Sequence, residues 1–144
     1  MNDDVFERMT FENELSAFFN SYYDLTEFAM TTGSLRTRED YKEVEDCLTG
    51  AEKTAEHLIK SIPECVSNDY KEDVEEFLVL IIKRLQNIKE RYSHLIGKSF
   101  DGEYYTFSQD RQYVKTDFSY EKRISKIGGR INRHRDETRK MIGF

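Results

Sequence analysis

The sequence predicts an all-α protein, a mostly antiparallel four-helix bundle, because three stripes of apolar residues recur along it. In each stripe the spacing alternates between three and four residues, which is the period of one helix face. The stripes are Phe11, Leu15, Phe18, Tyr22, Leu25 and Ala29; Tyr41, Val44, Leu48, Ala51, Ala55, Leu58 and Ile62; and Tyr120, Ile124, Ile127, Ile131, His134, Thr138 and Met141. A further segment, from Tyr70 to Leu95, follows the same spacing with one shift of register. Another helix covers such a stripe most efficiently, so we expect four helices to pack together.

The first helix should run from about Asp4 or Thr10 to Thr31, since Thr10 is a candidate cap for a restart after a break. Its apolar face is rich in aromatic rings. The second helix should begin at Thr37, with an acidic residue in its first turn, and end at Ile62, because a proline follows directly. Small residues on the second helix should let the rings of the first approach closely; they are Gly50, Ala51 and Ala55.

The third helix is expected to be the most buried, or else to leave a second apolar face for a partner. Its run from Phe77 to Ile82 is apolar all round for nearly two turns, whereas a bundle core uses only one stripe. Polar residues precede this helix as candidate caps, namely Ser67, Asn68 and Asp69. Gly97 is the expected end.

Residues 98–118 interrupt the helical pattern. They begin with the turn signal Asp101-Gly102 and are then rich in Tyr, Thr, Phe and Val, which indicates extended chain. We therefore expect an aromatic loop or a small β-hairpin before the last helix. Since an isolated hairpin is only marginally stable in water, it should lie on the bundle. The fourth helix should run from about Asp117 or Ser119 to near Met141.

The overall composition fits a single helical-bundle domain over residues 1–144. Ten phenylalanines and nine tyrosines make the chain too aromatic for a disordered protein. The two cysteines, Cys47 and Cys65, suit a reducing compartment. No apolar run approaches the about 20 residues that a membrane span needs. These features predict a cytoplasmic protein that makes no membrane contact.

The net charge of −6 conceals an uneven distribution of charge along the chain. Residues 1–110 carry 12 Lys and Arg against 24 Asp and Glu, whereas residues 111–144 carry 10 against 4. The simpler interpretation is that the basic last helix neutralises its acidic neighbours inside the bundle. The alternative is a basic patch that remains available for phosphate groups or an acidic partner.

The residues that would indicate catalysis or a cofactor do not form a recognisable constellation. Dinuclear metal sites in helical bundles need paired Glu-x-x-His turns, and none of the three histidines completes one. Gly128-Gly129 lies inside a predicted helix without the strand and flanking glycines of a phosphate loop, and close contact with a neighbouring helix explains it better. Neither cysteine has a nucleophile signature. We therefore expect no enzymatic activity, no cofactor and no metal.

One short run, from Arg130 to Arg135, resembles the metal-free RNA-cleaving motif of the small helical ribonucleases called HEPN domains. That motif contains an Arg, a polar residue and a His whose separation is four to six positions. Here Arg130 and His134 are separated by three positions, so the spacing of the family is not met. His134 also falls on an apolar stripe, where a polar residue that fixes the register of the helix is the simpler interpretation. A metal-independent ribonuclease of helical-bundle type is kept only as the third functional hypothesis.

The first functional hypothesis is a non-enzymatic protein-binding module: a small acidic regulator, inhibitor or assembly subunit. Its partner would be another protein, with a basic surface as one option, or a second copy of the chain. Aromatic residues are enriched at the energetic centres of interfaces, and the predicted partner-binding residues are Val79, Ile82, Tyr104, Tyr105, Phe107 and Tyr113. The second hypothesis is a nucleic-acid-binding subunit that uses the basic last helix, through Lys122, Arg123, Lys126, Arg130, Arg133 and Arg135.

Overall fold

The computed structural model describes residues 3–31, 33, 35–102 and 104–141, apart from the side chains of Ser99, Asp101, Thr138 and Met141. Within these residues the chain forms no strand and four α-helices, namely α1 (Asp3–Met30), α2 (Arg38–Lys60), α3 (Asn68–Ile96) and α4 (Phe107–Met141). The predicted all-helical, four-helix fold is confirmed. Helix α3 contacts each of the other three helices, as its apolar run suggested.

Helix α1 is continuous through Thr10, so of the two starts considered the earlier one, near Asp4, is observed. The Thr10 hydroxyl donates to the Phe6 carbonyl oxygen at 2.9 Å within the helix and does not cap a new start. The predicted stripe faces the core and is buried except for Leu25, which is partly buried. Beside this stripe, Phe19 packs against Phe77 of α3 with 5.5 Å between ring centroids.

Helix α2 begins after a capping box at Thr37. The Thr37 Oγ1 accepts a bond from the Asp40 amide at 3.1 Å, and the Asp40 carboxylate accepts one from the Thr37 amide at 3.0 Å. The helix ends at Lys60, slightly before the expected Ile62. Ala55 is fully buried, as close packing requires, but Gly50 is exposed, and nothing lies within 4 Å of where its Cβ would be.

Helix α3 is capped by Ser67, whose hydroxyl accepts a bond from the Tyr70 amide at 3.2 Å. In its apolar run Val79 is 39% exposed and Ile82 partly buried, and the other four residues are buried. The helix ends at Ile96, directly before Gly97, and a π-helical turn follows over Gly97–Asp101. Gly102 then adopts a φ of 76°, a left-handed conformation that glycine reaches without strain.

The prediction of a β-hairpin before the last helix was wrong, because α4 begins at Phe107 and includes most of that segment. The start is fixed by a reciprocal cap. The Gln109 amide donates to Thr106 Oγ1 at 3.1 Å, and the Thr106 amide donates to Gln109 Oε1 at 2.8 Å. The backbone of residues 107–118 therefore bonds within a helix and needs no second strand. Glu103 lies outside the described residues.

The stripe of α4 faces the core where it is described. Ile124, Ile127 and Ile131 are buried, whereas Tyr120 and His134 are partly buried. The side chains of Thr138 and Met141 lie outside the described residues. A Cβ added to Gly128 would lie 3.4 Å from the Phe77 ring of α3, which agrees with the expected close contact between helices.

Candidate protein-docking surface

The orientation of α4 is fixed first by Arg84, a buried arginine of α3 that is only 3% exposed. Its Nε and Nη2 donate to the two carboxylate oxygens of Asp117 at 2.7 and 3.2 Å. Its Nη1 donates to the Tyr22 hydroxyl at 2.9 Å and to the Thr26 hydroxyl at 3.2 Å. Glu121 adds a carboxylate oxygen at 4.0 Å. This one guanidinium therefore joins α1, α3 and α4 and holds the acidic side of α4 inward.

A second arginine of α3, Arg91, repeats the arrangement near the start of α4. Its Nε and Nη2 donate to Asp110 at 2.7 and 3.1 Å, and the Tyr105 hydroxyl donates to the same carboxylate at 2.9 Å. These hydrogen bonds, that of Arg91 foremost, lower the pKa of Asp110. His94 stacks on the Tyr105 ring at 5.1 Å. The buried Tyr105 thus anchors the segment that leads into α4.

A third set of contacts between α3 and α4 has the opposite sense, with the acid on α3. Asp73 Oδ1 accepts a bond from Arg130 Nε at 3.2 Å, and its Oδ2 lies 3.2 Å from His134 Nε2. Glu76 lies 3.7 Å from the same guanidinium. The three sets of contacts together fix the rotation of α4 about its axis.

The rotation of α4 exposes three apolar side chains in its first half. Phe107 is 81% exposed, Phe118 57% and Val114 41%. The spacings of seven and four residues along a helix put them on one side. Tyr104, three residues before the helix begins, is 88% exposed. Single exposed apolar residues are ordinary on a protein surface, but a row of them along one helix is typical of an interaction site.

Cations share this exposed side of α4. The Lys122 ammonium lies 4.6 Å from the centroid of the Phe118 ring, a cation–π arrangement. Arg111 and Lys115 are exposed and form no ion pair with any residue that the structure describes. The face made by Phe107, Arg111, Val114, Lys115, Phe118 and Lys122, called the α4 outer face below, is therefore aromatic and basic.

The predicted partner-binding residues fall into two groups. Tyr104, Phe107 and Val79 are exposed, but Val79 lies on α3 and outside the α4 outer face. Tyr105 is buried, and Ile82 and Tyr113 are partly buried. The Tyr113 ring lies 5.6 Å from the His94 ring, so Tyr105 and Tyr113 both pack on His94 of α3. The structure does not bring all six residues together on one surface.

The predicted nucleic-acid-binding residues are also divided. Arg130 is paired with Asp73, and the Arg135 Nη1 donates to the Ser16 hydroxyl at 3.2 Å. The exposed cations are Lys122, Arg123, Lys126 and Arg133. The basic last helix is thus neutralised in part and exposed in part.

The buried arginines were missed by sequence reasoning, although a signal was present. Arg84 and Arg91 continue the core spacing of α3 three residues after Ile81 and Ile88. On α4, the stripe extends backwards from Tyr120 at the same spacing through Asp117 and Tyr113 to Asp110. Opposite charges at matching core positions of two helices are the pattern that predicts buried ion pairs.

One group of side chains with metal-binding atoms was found among the described residues: Asp4, Glu7 and Cys65, all exposed, with ligand atoms within 4.8 Å of one another. The Cys65 thiol donates to the Asp4 carbonyl oxygen at 3.6 Å. Desolvation and the two acids raise the pKa of this thiol. Since metals bind the thiolate, this shift leaves less of the metal-binding form of Cys65 at neutral pH.

Comparisons with protein-family models, with curated proteins and with solved structures give no match for this chain. Among the described helices, none combines the length and the apolar character needed to cross a membrane. A fold class alone does not determine a function, so the function must be argued from the surface chemistry.

Proposed function

We propose that this protein is a non-enzymatic protein-binding module whose α4 outer face binds an amphipathic helix of a partner protein. The supporting observation is the sorting of side chains on α4. Its acids Asp110 and Asp117 are turned inward to arginines of α3, and its exposed rings and cations share a side that faces solvent. The sorting gives a surface that is both apolar and positively charged.

The geometry of the apolar row favours a helical partner. From Phe107 to Phe118 the row extends over about 16 Å at 1.5 Å per residue. Packing of one helix along another uses rows of this kind, with residues three or four positions apart. Burying a phenylalanine side chain is worth about 1.5–3 kcal/mol. The two rings are therefore the expected energetic centre of the interface.

The charge of the outer face favours an acidic partner. Arg111, Lys115 and Lys122 are available to pair with acids that flank the partner's apolar stripe, and such complementarity speeds association and excludes basic competitors. A partner with a basic surface would instead bind to the acidic helices α1 to α3. Those helices do not carry the exposed apolar row of α4. The proposal therefore replaces that earlier option with an acidic partner.

The contacts between helices support the antiparallel order of the proposed bundle. Residues 73, 84 and 91 of α3 meet residues 130, 117 and 110 of α4 in reverse sequence. The outer face is thereby held on a helix that is tied along its length to α3. A rigid surface of this kind loses little conformational entropy on binding, which suits an assembly subunit or an inhibitor.

The proposal is tested by affinity capture from nuclease-treated extract of the source cell, with variant baits in parallel. We expect one or more proteins to be retained by the wild type and lost with the double variant Phe107→Ser and Phe118→Ser. Phe6→Ser is the matched control, because Phe6 is 65% exposed on α1, away from the outer face, and should retain them. A second double variant, Arg111→Glu and Lys115→Glu, should release the same proteins. If both double-variant baits still retain every protein that the wild type retains, the outer face is not the docking surface.

Binding of a synthetic peptide provides a test with a defined probe. The probe is a helical peptide with Leu and Phe at the core positions of its heptads and Glu at the flanking positions. We expect saturable binding that weakens as salt rises and that falls at least tenfold for the Phe107→Ser and Phe118→Ser variant. The same peptide with Lys in place of Glu should bind more weakly. Equal binding of the two peptides would contradict the proposed charge complementarity.

Nucleic-acid binding is the alternative, favoured by exposed cations that continue along α4 beyond the outer face. Lys126 and Arg133 are exposed and form no ion pair with a described residue. Single strands bind to cations interspersed with rings, and their affinity falls steeply with salt. Fluorescence anisotropy with a labelled oligouridylate distinguishes the two functions. Tight binding at low salt that is lost with Lys126→Glu and Arg133→Glu would favour the alternative.

A further inference from the structure

Six exposed cations of α4 form one line along the helix, from its first turn to its last. They are Arg111, Lys115, Lys122, Lys126, Arg133 and Lys140, called the basic stripe below. Successive members are four or seven residues apart, and both spacings return to the same side of an α-helix. None of the six forms an ion pair with a residue that the structure describes. The stripe is about 43 Å long at 1.5 Å per residue.

The basic stripe continues past the point where the exposed apolar row of α4 ends. Its first three members belong to the α4 outer face, whose apolar row ends at Phe118. Spacings of seven, four and three residues continue that row to Ser125, Gly129 and Asn132, none of which has a large apolar side chain. The first half of the stripe therefore has apolar neighbours, and the second half has small or polar ones.

The spacing of the cations suits the side chains of a second helix that lies along α4. Two packed helices bring rows of side chains together, and each row repeats every three, four or seven residues. Carboxylates at these intervals on one side of a partner helix would each lie near one cation of the stripe. Beyond Phe118 the attraction would come from charge alone, because this part of the row has no apolar side chain to bury.

The second half of the stripe fits a nucleic-acid strand less well than it fits an acidic helix. Asp136 and Glu137 are exposed between Arg133 and Lys140, and a strand that followed the stripe would bring its phosphates past these carboxylates. A helix can instead carry uncharged side chains opposite them. Single strands are also held by aromatic rings, and residues 121–141 contain no Phe or Tyr.

We infer that the partner helix continues beyond its apolar part as an acidic helix whose carboxylates pair with Lys126, Arg133 and Lys140. This inference rests on the proposed docking function and defines the partner more closely. The partner helix has apolar side chains over the three turns opposite Phe107 to Phe118. It then has about five further turns in which acids, without an apolar row, face the stripe.

Three helical peptides test the inference by fluorescence anisotropy at physiological salt. The short one is the acidic amphipathic peptide described above, limited to four turns. Each of the two long ones adds five turns, at the N-terminus or at the C-terminus, with Glu at four- and seven-residue spacing on one side. The long peptide whose extension lies along the second half of α4 should bind about tenfold more tightly than the short one. Tenfold is about 1.4 kcal/mol, which three exposed ion pairs together supply.

Charge reversal in the second half of the stripe should remove this gain. The variant combines Lys126→Glu, Arg133→Glu and Lys140→Glu, and it should bind the long peptide no more tightly than the short one.

The matched control reverses three exposed lysines of α2 and changes the net charge by the same amount. It combines Lys42→Glu, Lys53→Glu and Lys60→Glu, and it should keep the gain.

The outcomes separate this inference from the docking function on which it rests. If the short peptide does not bind the wild type, the docking function itself fails. If it binds and neither extension adds affinity, only the acidic extension is refuted. Equal gains from the two extensions, or a gain that survives charge reversal of the stripe, would show an unspecific attraction and overturn the inference. Tighter binding of a labelled oligouridylate than of either long peptide would also overturn it, because the stripe would then be a nucleic-acid site.

Discussion

Asp117→Ala should strongly destabilise the fold, because it leaves the buried Arg84 guanidinium without its carboxylate. Asp117 is 5% exposed and Arg84 3%, so water cannot replace the lost partner. Removing one partner of a buried ion pair typically costs about 3–5 kcal/mol of the free energy of unfolding. Burial alone would lower the pKa of Arg84, but its hydrogen bond with Asp117 raises it, and the guanidinium stays charged in the variant.

The contacts that remain at Arg84 place the expected cost at the lower end of this range. The guanidinium keeps its bonds to Tyr22 and Thr26, and Glu121, now 4.0 Å away, can move closer. It also stays 5.7 Å from the centre of the Tyr22 ring. We therefore expect a loss of about 3 kcal/mol. The double variant Arg84→Met and Asp117→Leu should recover at least half of it, since it removes both buried charges.

Urea unfolding followed by circular dichroism measures these differences at constant pH. Glu76→Gln is the matched control, because Glu76 also pairs with an arginine across α3 and α4 but is about half exposed. Exposed ion pairs contribute about 0–1 kcal/mol. If Asp117→Ala costs no more than Glu76→Gln, then the Arg84 site is hydrated, and the argument from burial is refuted.

Four further predictions concern stability and titration. Arg91 lowers the pKa of Asp110, so this pair stabilises the fold above the ordinary carboxyl pKa, and the contribution should disappear as the pH falls below about 4. In urea unfolding, Asp110→Asn should flatten the dependence of the free energy of unfolding on pH in that range. An unchanged slope would contradict the pairing. Burial raises the pKa of Tyr92 to about 12, so the contribution of its neutral hydroxyl to the stability of the fold should be lost as the pH rises from about 10 through 12. Tyr92→Phe should remove one late step from the ultraviolet titration of the tyrosine hydroxyls. Ala55→Phe should cost roughly 1–3 kcal/mol by overpacking a fully buried position, and a neutral result in urea unfolding would place Ala55 at the surface. Thr37→Ala should cost about 1 kcal/mol through loss of the α2 cap, and Thr37→Ser should restore most of the loss in the same assay.

The parts of the fold that could be predicted from sequence are those in which one local pattern decides the outcome. The apolar stripes gave the inward faces of α1, α2 and α4 because a helix buries one face regardless of its neighbour. The start of α2 was predictable from Thr37 and Asp40, since a capping box uses only residues of the same turn. The central position of α3 followed from its run of apolar residues on all sides.

The start of α4 was missed because local preference and tertiary contacts disagree there. Residues such as Tyr113 and Val114 favour strands. The helix is nevertheless stabilised by the cap between Thr106 and Gln109 and by the pairing of Asp110 with α3. The capping pattern is visible in the sequence, but the pairing becomes visible only when α3 and α4 lie side by side.

The proposed docking surface was predictable only in part, because exposure depends on the rotation of α4. Tyr104 and Tyr105 are adjacent tyrosines, yet the first is 88% exposed and the second 4%. The difference arises from tertiary contacts, since the Tyr105 hydroxyl bonds to Asp110 and its ring stacks on His94. The sequence identifies the aromatic segment but does not indicate which of its rings face solvent.

The uneven charge of the chain now has a physical explanation that combines the two original interpretations. Helix α4 carries acids where it contacts Arg84 and Arg91, and it carries Arg130 where it contacts Asp73. At each of these contacts its charge is therefore opposite to that of α3. The charges in these ion pairs are neutralised within the fold. The remaining charges of the first half of α4 are almost all positive, because Asp110 and Asp117 are already engaged. The basic outer face therefore follows from the ion pairs that hold α4 on α3, and the surface proposed to bind a partner depends on the same rotation that buries those pairs.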